Sequence, residues 1–252
     1  MVANMSKTAL VTGAARGIGR ACAMALAEKG FDIALVDLLE AEMAATAGGI
    51  EKLGVRAMTF RADVTDFARA HEVLDEIIAG WGRLDVLVNN AGAPSPKPIV
   101  EITEAEFDRA IAVNLKSVFN YIHAAAPVML GQQDGGRIVS MSSINALSGG
   151  VTSAVSKHAY AAAKAGILGL TRSLAKELGP KVAVNAICPG VIATDLVQEM
   201  IERREAELVS GIALGRVGYP ADVASLVAYL ASDPNMFMTG QHFVVDGFQW
   251  KC

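Results

Sequence analysis

Tyr160 and Lys164 stand four residues apart in a run of strong helix formers, Tyr160–Glu177, so their side chains share one helix face. A phenol titrates near 10, and it exchanges protons usefully near neutrality only when a neighbouring cation stabilises the phenolate. Lys164 is spaced to be that cation. A Tyr-x-x-x-Lys pair also arises by chance on ordinary helix surfaces, so its weight depends on what converges with it. Ser142-Ser143 follow the β-rich run Arg137–Met141, and Asn89-Asn90-Ala91-Gly92 close the run Val86–Asn89. The ends of parallel strands share one edge, which brings these hydroxyls and amides toward the same place. Asn114 lies in the helical stretch that comes next.

A second set points to an anion. Thr12-Gly13-Ala14-Ala15-Arg16-Gly17-Ile18-Gly19 follows the first β-rich run and opens the first helical one. Glycines let backbone approach a pyrophosphate, and a helix N-terminus offers free N–H donors and a favourable dipole. The spacing is Gly-x-x-x-Gly-x-Gly rather than Gly-x-Gly-x-x-Gly. Asp37 ends the second strand about 20 residues later, where a carboxylate accepts both hydroxyls of an adenosine ribose and repels a 2′-phosphate. Leu38 and Leu39 follow, so Arg16 is the one nearby base that would welcome such a phosphate. NAD is therefore preferred to NADP. Taken singly, three glycines could be an ordinary turn and Asp37 a solvated strand end; their relative placement favours dinucleotide binding.

The elements that must hold these residues alternate. Strands are predicted at Thr8–Val11, Asp32–Val36, Arg56–Arg61, Val86–Asn89, Arg137–Met141, Val182–Ile187 and His242–Val245. Helices are predicted at Ile18–Lys29, Ala41–Leu53, Ala68–Ala79, Glu104–Met129, Tyr160–Glu177 and Asp222–Leu230, with a further piece at Leu196–Leu208. Such alternation predicts an α/β, Rossmann-like, doubly wound parallel sheet of about seven strands with helices on both faces. Ala9-Leu10-Val11 and Val86-Leu87-Val88 are continuous apolar runs, as strands buried on both faces require. No linker divides the 252 residues, so one domain, 1–252, is expected, with 189–220 as a substrate lid beside the carboxyl edge.

Composition removes other classes. Twenty-two basic against 26 acidic residues, without like-charge runs, argue against nucleic acid. No apolar run reaches the roughly 18–20 residues of a membrane span, and the first residues lack a signal-peptide layout, so a cytoplasmic location is expected. Cys22, Cys188 and Cys252 are odd in number and widely spaced, and the four histidines (71, 123, 158, 242) have no neighbouring partner at ligand spacing. Neither a disulfide framework nor a metal site is expected.

With these motifs in this order, the chain resembles the short-chain dehydrogenase/reductase family over essentially its whole length. The resemblance rests on Thr12–Gly19, Asp63-Val64, Asn89–Gly92, Asn114, Ser143, Tyr160/Lys164 and Pro189-Gly190. It implies an NAD(H)-dependent oxidoreductase that interconverts a secondary alcohol and a ketone. Tyr160 would be the general acid/base, Lys164 would lower its pKa and hold the nicotinamide ribose, Ser143 would bond the reacting oxygen, and Asn114 would hold a water in the proton relay. Gly13, Arg16, Gly17, Ile18, Gly19, Asp37, Asp63, Val64, Asn90, Ala91, Gly92, Pro189, Gly190, Ile192 and Thr194 would line the cofactor together with Tyr160 and Lys164. Asn145, His158 and Val191 would meet substrate. A homotetramer is also implied, consistent with the small-residue face Ala161, Ala165, Gly169.

The chain departs from the family pattern between Ser143 and Tyr160, where Gly149–His158 is longer by about one helical turn's worth of residues. Ser148 would restore the shorter gap and is the rival serine. The added Thr152, Ser153, Ser156 and His158 suit a small polar substrate such as a sugar, polyol or hydroxy acid. A β-ketoacyl group on acyl carrier protein is the alternative. That acidic carrier calls for basic docking residues, whereas Gly131–Gly136 has none before Arg137 and Lys176 offers one basic position on the next long helix. A dinucleotide-binding sensor without catalysis is a third reading, opposed by the complete Ser143, Tyr160, Lys164 and Asn114 set.

Overall fold

A computed structural model describes residues 6–150, 156–195, 198–233 and 236–249. In chain order its elements are β1 (Thr8–Thr12), α1 (Gly17–Ala27), β2 (Asp32–Asp37), α2 (Glu40–Glu51), β3 (Ala57–Arg61), α3 (Phe67–Trp81) and β4 (Val86–Asn89). Then come α4 (Glu104–Ile111), a π-helical turn (Ala112–Lys116), α5 (Ser117–Gly131), β5 (Gly136–Met141), the short α6 (Asn145–Ser148) and α7 (His158–Leu178). β6 (Val182–Pro189), α8 (Gln198–Ser210), α9 (Pro220–Ser232) and β7 (His242–Val245) complete the described chain. The strands form one parallel sheet in the order β3-β2-β1-β4-β5-β6-β7. This is the doubly wound Rossmann-like sheet that the strand–helix alternation predicts.

Side-chain alternation sends each central strand into two cores. Ala9, Val11, Val86 and Val88 pack with Cys22, Leu26, Ile50, Val223 and Val227 from α1, α2 and α9. Leu10 and Leu87 pack on the other face with Val73, Ile77, Tyr121 and Ile167 from α3, α5 and α7. Each buried Leu, Ile or Val contributes about 1.5–3 kcal/mol of apolar transfer, so the strands are fixed from both sides. Their carboxyl ends are free to carry polar groups. The chain leaves β1 toward β2 on one side and returns as β4 on the other. A crevice must open between the two ends, which is where ligands bind in sheets of this kind.

The predicted strands agree within two residues at either end. The single helix expected over Glu104–Met129 is instead three pieces. Thr103 and Glu106 form a capping box that starts α4, and the Ser117 N–H reaches back five residues to the Ala112 carbonyl, which marks the π turn. His158, expected in a loop, is the first residue of α7. The lid segment is an excursion that leaves and rejoins at one point: the Ala193 N–H donates to the Gly218 carbonyl and the Gly218 N–H to the Val191 carbonyl, at 2.8 and 2.9 Å. Within it Ile201, Ile212 and Val217 build a small apolar cluster of their own, with Leu208 and Val191 against it. Positions 196–197 of the predicted lid helix lie outside the described residues, as do Trp250 and Cys252 at the tail; Cys22 and Cys188 are buried, unpaired thiols. No described helix is long and apolar enough to cross a membrane.

Candidate active site

The crevice is a cleft of about 990 Å³ running from Asp37 and Leu38, past the glycine turn, to Tyr160 and the lid residue Leu208. Gly13, Arg16, Gly17, Ile18, Asp37, Asp63, Val64, Asn90, Ala91 and Gly92 line its first part. Asn114, Ser143, Asn145, Tyr160, Lys164, Pro189, Gly190, Val191, Ile192 and Thr194 line the rest. Two predicted residues are placed otherwise. Gly19 does not line the cleft; a Cβ there would run into the Gly13 carbonyl oxygen, so this glycine lets α1 start tight against the turn. His158 does not line it either, and its Nε2 is buried without a hydrogen-bond partner. Thr152 and Ser153, expected to read a polar substrate, lie outside the described residues.

The turn is built for close approach. Gly13 and Gly17 have φ of +64° and +56°, a region that favours glycine, and a Cβ on Gly13 would crowd the Ala91 backbone and the Asn90 amide. Asn90 ties the turn to β4, its Nδ2 donating to the carbonyls of Thr12 and Gly13 at 3.0 Å each. Thr12 Oγ1 accepts the Asn90 and Ala91 N–H groups in return. Asp37 accepts the Ala15 N–H at 3.0 Å and the Leu38 and Leu39 N–H groups at 2.7 and 3.1 Å, so it holds the turn as well as facing the cleft. Arg16 is the exposed cap residue of α1.

Further along, Asp63 accepts the Thr65 N–H and hydroxyl and an Arg109 guanidinium N–H at 3.2 Å. Burial raises this carboxyl, but the Thr65 bonds and the Arg109 charge outweigh it and hold it below the usual carboxylate range. Arg109 had no signal in the sequence, since it comes from α4, 46 residues away. Gln249 was missed for the same reason; it lines the substrate end and its Oε1 accepts the Val191 N–H.

The reacting end is a buried cluster where β5, β6 and α7 meet. Lys164 is 3% exposed, and its Nζ donates to the Met141 carbonyl at 2.7 Å and lies 5.6 Å from the centre of the Tyr160 ring. Ser142 ties the strand end to α7 by donating to the Lys164 carbonyl at 2.8 Å. Burial pulls the Lys164 ammonium down to about 8 and pushes the Tyr160 phenol up, the latter against a lowering hydrogen bond with Ser143. Buried beside them is Cys188, whose thiol is pushed up by burial although the Ser142 side chain and Ser143 backbone hydrogen-bond it.

Asn114 sits in the π turn. Its Nδ2 donates to the Ala93 and Ala110 carbonyls and its Oδ1 accepts the Ala93 N–H, all near 3.0 Å. The π turn displaces the regular i−4 bonding, and the Asn114 side chain takes up the Ala110 carbonyl. Its effect is to hold Ala93 and Gly92 beside Lys164, since a Cβ on Gly92 would lie within 3.5 Å of Nζ. Among the described residues no group of three or more His, Cys, Asp or Glu could hold a metal ion.

Ser143 and Ser148 are now distinguishable. Ser143 lines the cleft against Tyr160, whereas Ser148 donates to the Ile144 carbonyl and accepts the Gly150 N–H at the end of α6. Ser143→Ala should lower turnover by roughly a hundredfold or more, the scale for losing a donor aimed at developing charge. Ser148→Ala should change it by less than about threefold. Steady-state rates of the two variants decide between them.

The cleft runs from the glycine turn at the start of α1 to the buried Tyr160–Lys164 pair. That layout defines an oxidoreductase built around a nicotinamide dinucleotide. Residues 13–247 match the family model described as Enoyl-(Acyl carrier protein) reductase. The chain is 40% identical over 245 residues to a Staphylococcus aureus protein named 3-oxoacyl-[acyl-carrier-protein] reductase FabG, covering 96% of this chain and 98% of that one. A crystal structure of a short-chain type dehydrogenase/reductase from Mycobacterium marinum is similar at 34% identity and a TM-score of 0.90, covering 96% and 95% of the two chains. Another, titled short-chain dehydrogenase/reductase SDR:Glucose/ribitol dehydrogenase, from Brucella melitensis, has 32% identity, a TM-score of 0.89 and coverage of 98% and 97%. The chain belongs to the short-chain dehydrogenase/reductase family.

Proposed function

We propose that this oxidoreductase interconverts the 3-oxo and 3-hydroxy forms of an acyl thioester, with NAD(H) as its dinucleotide. The 40% identity to the Staphylococcus aureus protein named 3-oxoacyl-[acyl-carrier-protein] reductase FabG supports the substrate class. The cleft agrees: Ile102, Val113, Ile144, Val191 and Leu208 give its substrate end an apolar wall that suits an acyl chain better than a polyol. This reverses the preference for a small polar substrate: of the four loop residues behind it, Ser156 lines the cleft, His158 does not, and Thr152 and Ser153 lie outside the described residues.

The small-substrate reading keeps one observation in its favour. The stretch before β5 carries acidic Asp134, and the neighbouring Lys181 has its ammonium on the Gln132 and Gln133 carbonyls, so little positive charge is presented to an acidic carrier. Rates with acetoacetyl-pantetheine, the same group on acyl carrier protein, a polyol and a hydroxy acid decide the matter. Turnover of the thioester, with the polyol inert, is expected; the reverse order would overturn the proposal.

The residues fit a dinucleotide. Gly13, Gly17 and the first N–H groups of α1 would hold the pyrophosphate, Asp37 the adenosine ribose, and Tyr160, Lys164, Pro189, Gly190, Ile192 and Thr194 the nicotinamide end. The bound dinucleotide supplies or accepts the hydride. Tyr160 gives its proton to the substrate oxygen as the alcohol forms and takes it back in the other direction. Ser143 donates a hydrogen bond to that oxygen. Lys164, protonated below about pH 8, offsets the phenolate left behind. Asn114 keeps Gly92 and Ala93 in place above it. The segment 189–220, of which Val191, Ile192, Thr194 and Leu208 line the cleft, is the substrate lid of this reading. A homotetramer is part of the same reading, supported by the exposed small-residue positions Ala165 and Gly169 on α7.

The cofactor choice rests on Asp37, whose carboxylate would face a 2′-phosphate. Fluorescence titration should show NADH binding at least about tenfold more tightly than NADPH, a difference of about 1.4 kcal/mol. Asp37→Asn, which keeps an acceptor for the turn and removes the charge, should narrow that ratio to a few fold. Equal or tighter NADPH binding by the unaltered protein would mean that Arg16 outweighs Asp37.

A further inference from the structure

His71 and His123 are 52 residues apart in sequence, and the packing of α3 against α5 brings His71 Nε2 to 3.0 Å from His123 Nδ1. The pair faces solvent, and neither ring lines the cleft. Its proton arrangement can be worked out. His71 Nδ1 lies 2.9 Å from the Phe67 carbonyl oxygen, which can only accept, so Nδ1 carries a hydrogen. Neutral His71 then holds a lone pair on Nε2, which accepts the Nδ1 hydrogen of His123. An imidazole fixed through one N–H on a backbone carbonyl, with the other nitrogen bare, is the usual state of a metal-ligating histidine.

Aromatic neighbours pack against both rings. The Phe67 ring centre lies 4.5 Å from that of His71 and 5.1 Å from that of His123, and Phe119 lies 5.6 Å from His123. Imidazole–metal bonds of about 2.0–2.1 Å place two cis nitrogens about 2.9 Å apart at a right angle and about 3.4 Å apart at a tetrahedral one. The observed separation falls inside that range. For one ion to take both nitrogens, the hydrogen that His123 Nδ1 shares with His71 moves to His123 Nε2 and the rings turn so that the two lone pairs converge beside the N–N line.

We propose that His71 and His123 form a bis-imidazole site for a borderline divalent transition metal ion of the zinc type, linking α3 to α5. Two nitrogen ligands select Zn²⁺, Ni²⁺ or Cu²⁺ over Mg²⁺ or Ca²⁺, which need oxygen. No third His, Cys, Asp or Glu joins them among the described residues, so water completes the coordination and the ion exchanges readily.

The test is calorimetric titration of tag-free protein with ZnCl₂, beside His71→Ala, His123→Ala and the double variant. The wild type should take up one Zn²⁺ per chain that the double variant does not. Each single variant should weaken that binding at least tenfold, and Zn²⁺ should raise the Tm of the wild type but not of the double variant. MgCl₂ should give no such binding. His123 is exposed and His71 half-buried, and metal-free Tm values within a few degrees of the wild type verify folding of the variants. Equal Zn²⁺ stoichiometry and affinity in the wild type and the double variant would overturn the proposal.

Discussion

Tyr160→Phe should lower turnover by about a hundred- to ten-thousandfold, the range for removing a general acid or base, and leave dinucleotide affinity within a few fold. The phenol is the group in the cleft that pairs a proton to give with a partner, Ser143, able to bond the same substrate oxygen. Burial pushes its pKa up, so it is protonated at neutral pH and ready to act as the acid in ketone reduction. Phenylalanine fills the same volume, which leaves α7 and the glycine turn undisturbed. Steady-state rates beside NADH fluorescence titration separate the two effects. Full activity would reject the assignment, and so would a loss of activity that merely followed a loss of binding.

Lys164→Met should have effects of opposite sign on activity and stability. Turnover should drop by at least about a hundredfold, because the phenolate formed at Tyr160 loses its counter-charge. Folding stability, by contrast, should rise relative to the wild type near pH 7. Burial has pulled the Lys164 ammonium from 10.5 down to about 8, so the folded state carries an unfavourable charge below that pH. Between about pH 8 and 10.5 the unfolded chain holds a proton on this lysine that the folded chain has lost. In that window the lysine's contribution to stability rises with pH.

The whole shift is worth about 3 kcal/mol, less about 1 kcal/mol for the bond that Met141 loses in the variant. Other buried groups act oppositely above pH 9. Cys22, pushed up to about 12, is one, so the informative quantity is the difference between the two proteins. Urea unfolding at pH 7 and pH 10 should show the advantage of Lys164→Met shrinking or reversing at the higher pH. A constant difference would mean that Lys164 is not held in a charge-disfavouring site.

Most of the sheet was legible because its strands are short apolar runs separated by glycine turns, and period-two burial on both faces leaves few alternatives. The catalytic spacing was legible for a local reason, since residues four apart on a helix share a face. What depended on contacts between distant segments was not. Arg109 reaches Asp63 from α4, Gln249 enters the cleft from the far end of the chain, and His71 meets His123 across two helices. The break in Glu104–Met129 was hidden because a π turn has no composition of its own; Asn114 reads as one more helix residue. Gly19 was read as touching cofactor because its type fits that role, while its position shows it serving the turn's own packing. The substrate preference shifted because hydroxyls in a loop say nothing about which way they face, whereas the apolar lining of a cleft does.

The central claim is that this cleft moves a hydride between a nicotinamide and the 3-position of an acyl thioester while Tyr160 moves the proton. Mass spectrometry of the product made from acetoacetyl-pantetheine and [4,4-²H₂]NADH tests it directly. The 3-hydroxybutyryl product should carry one deuterium, bound to carbon 3, with none appearing when Tyr160→Phe replaces the wild type over the same short reaction time. Absence of that product from the wild type, or a product whose carbon 3 carries only solvent hydrogen, would contradict the account.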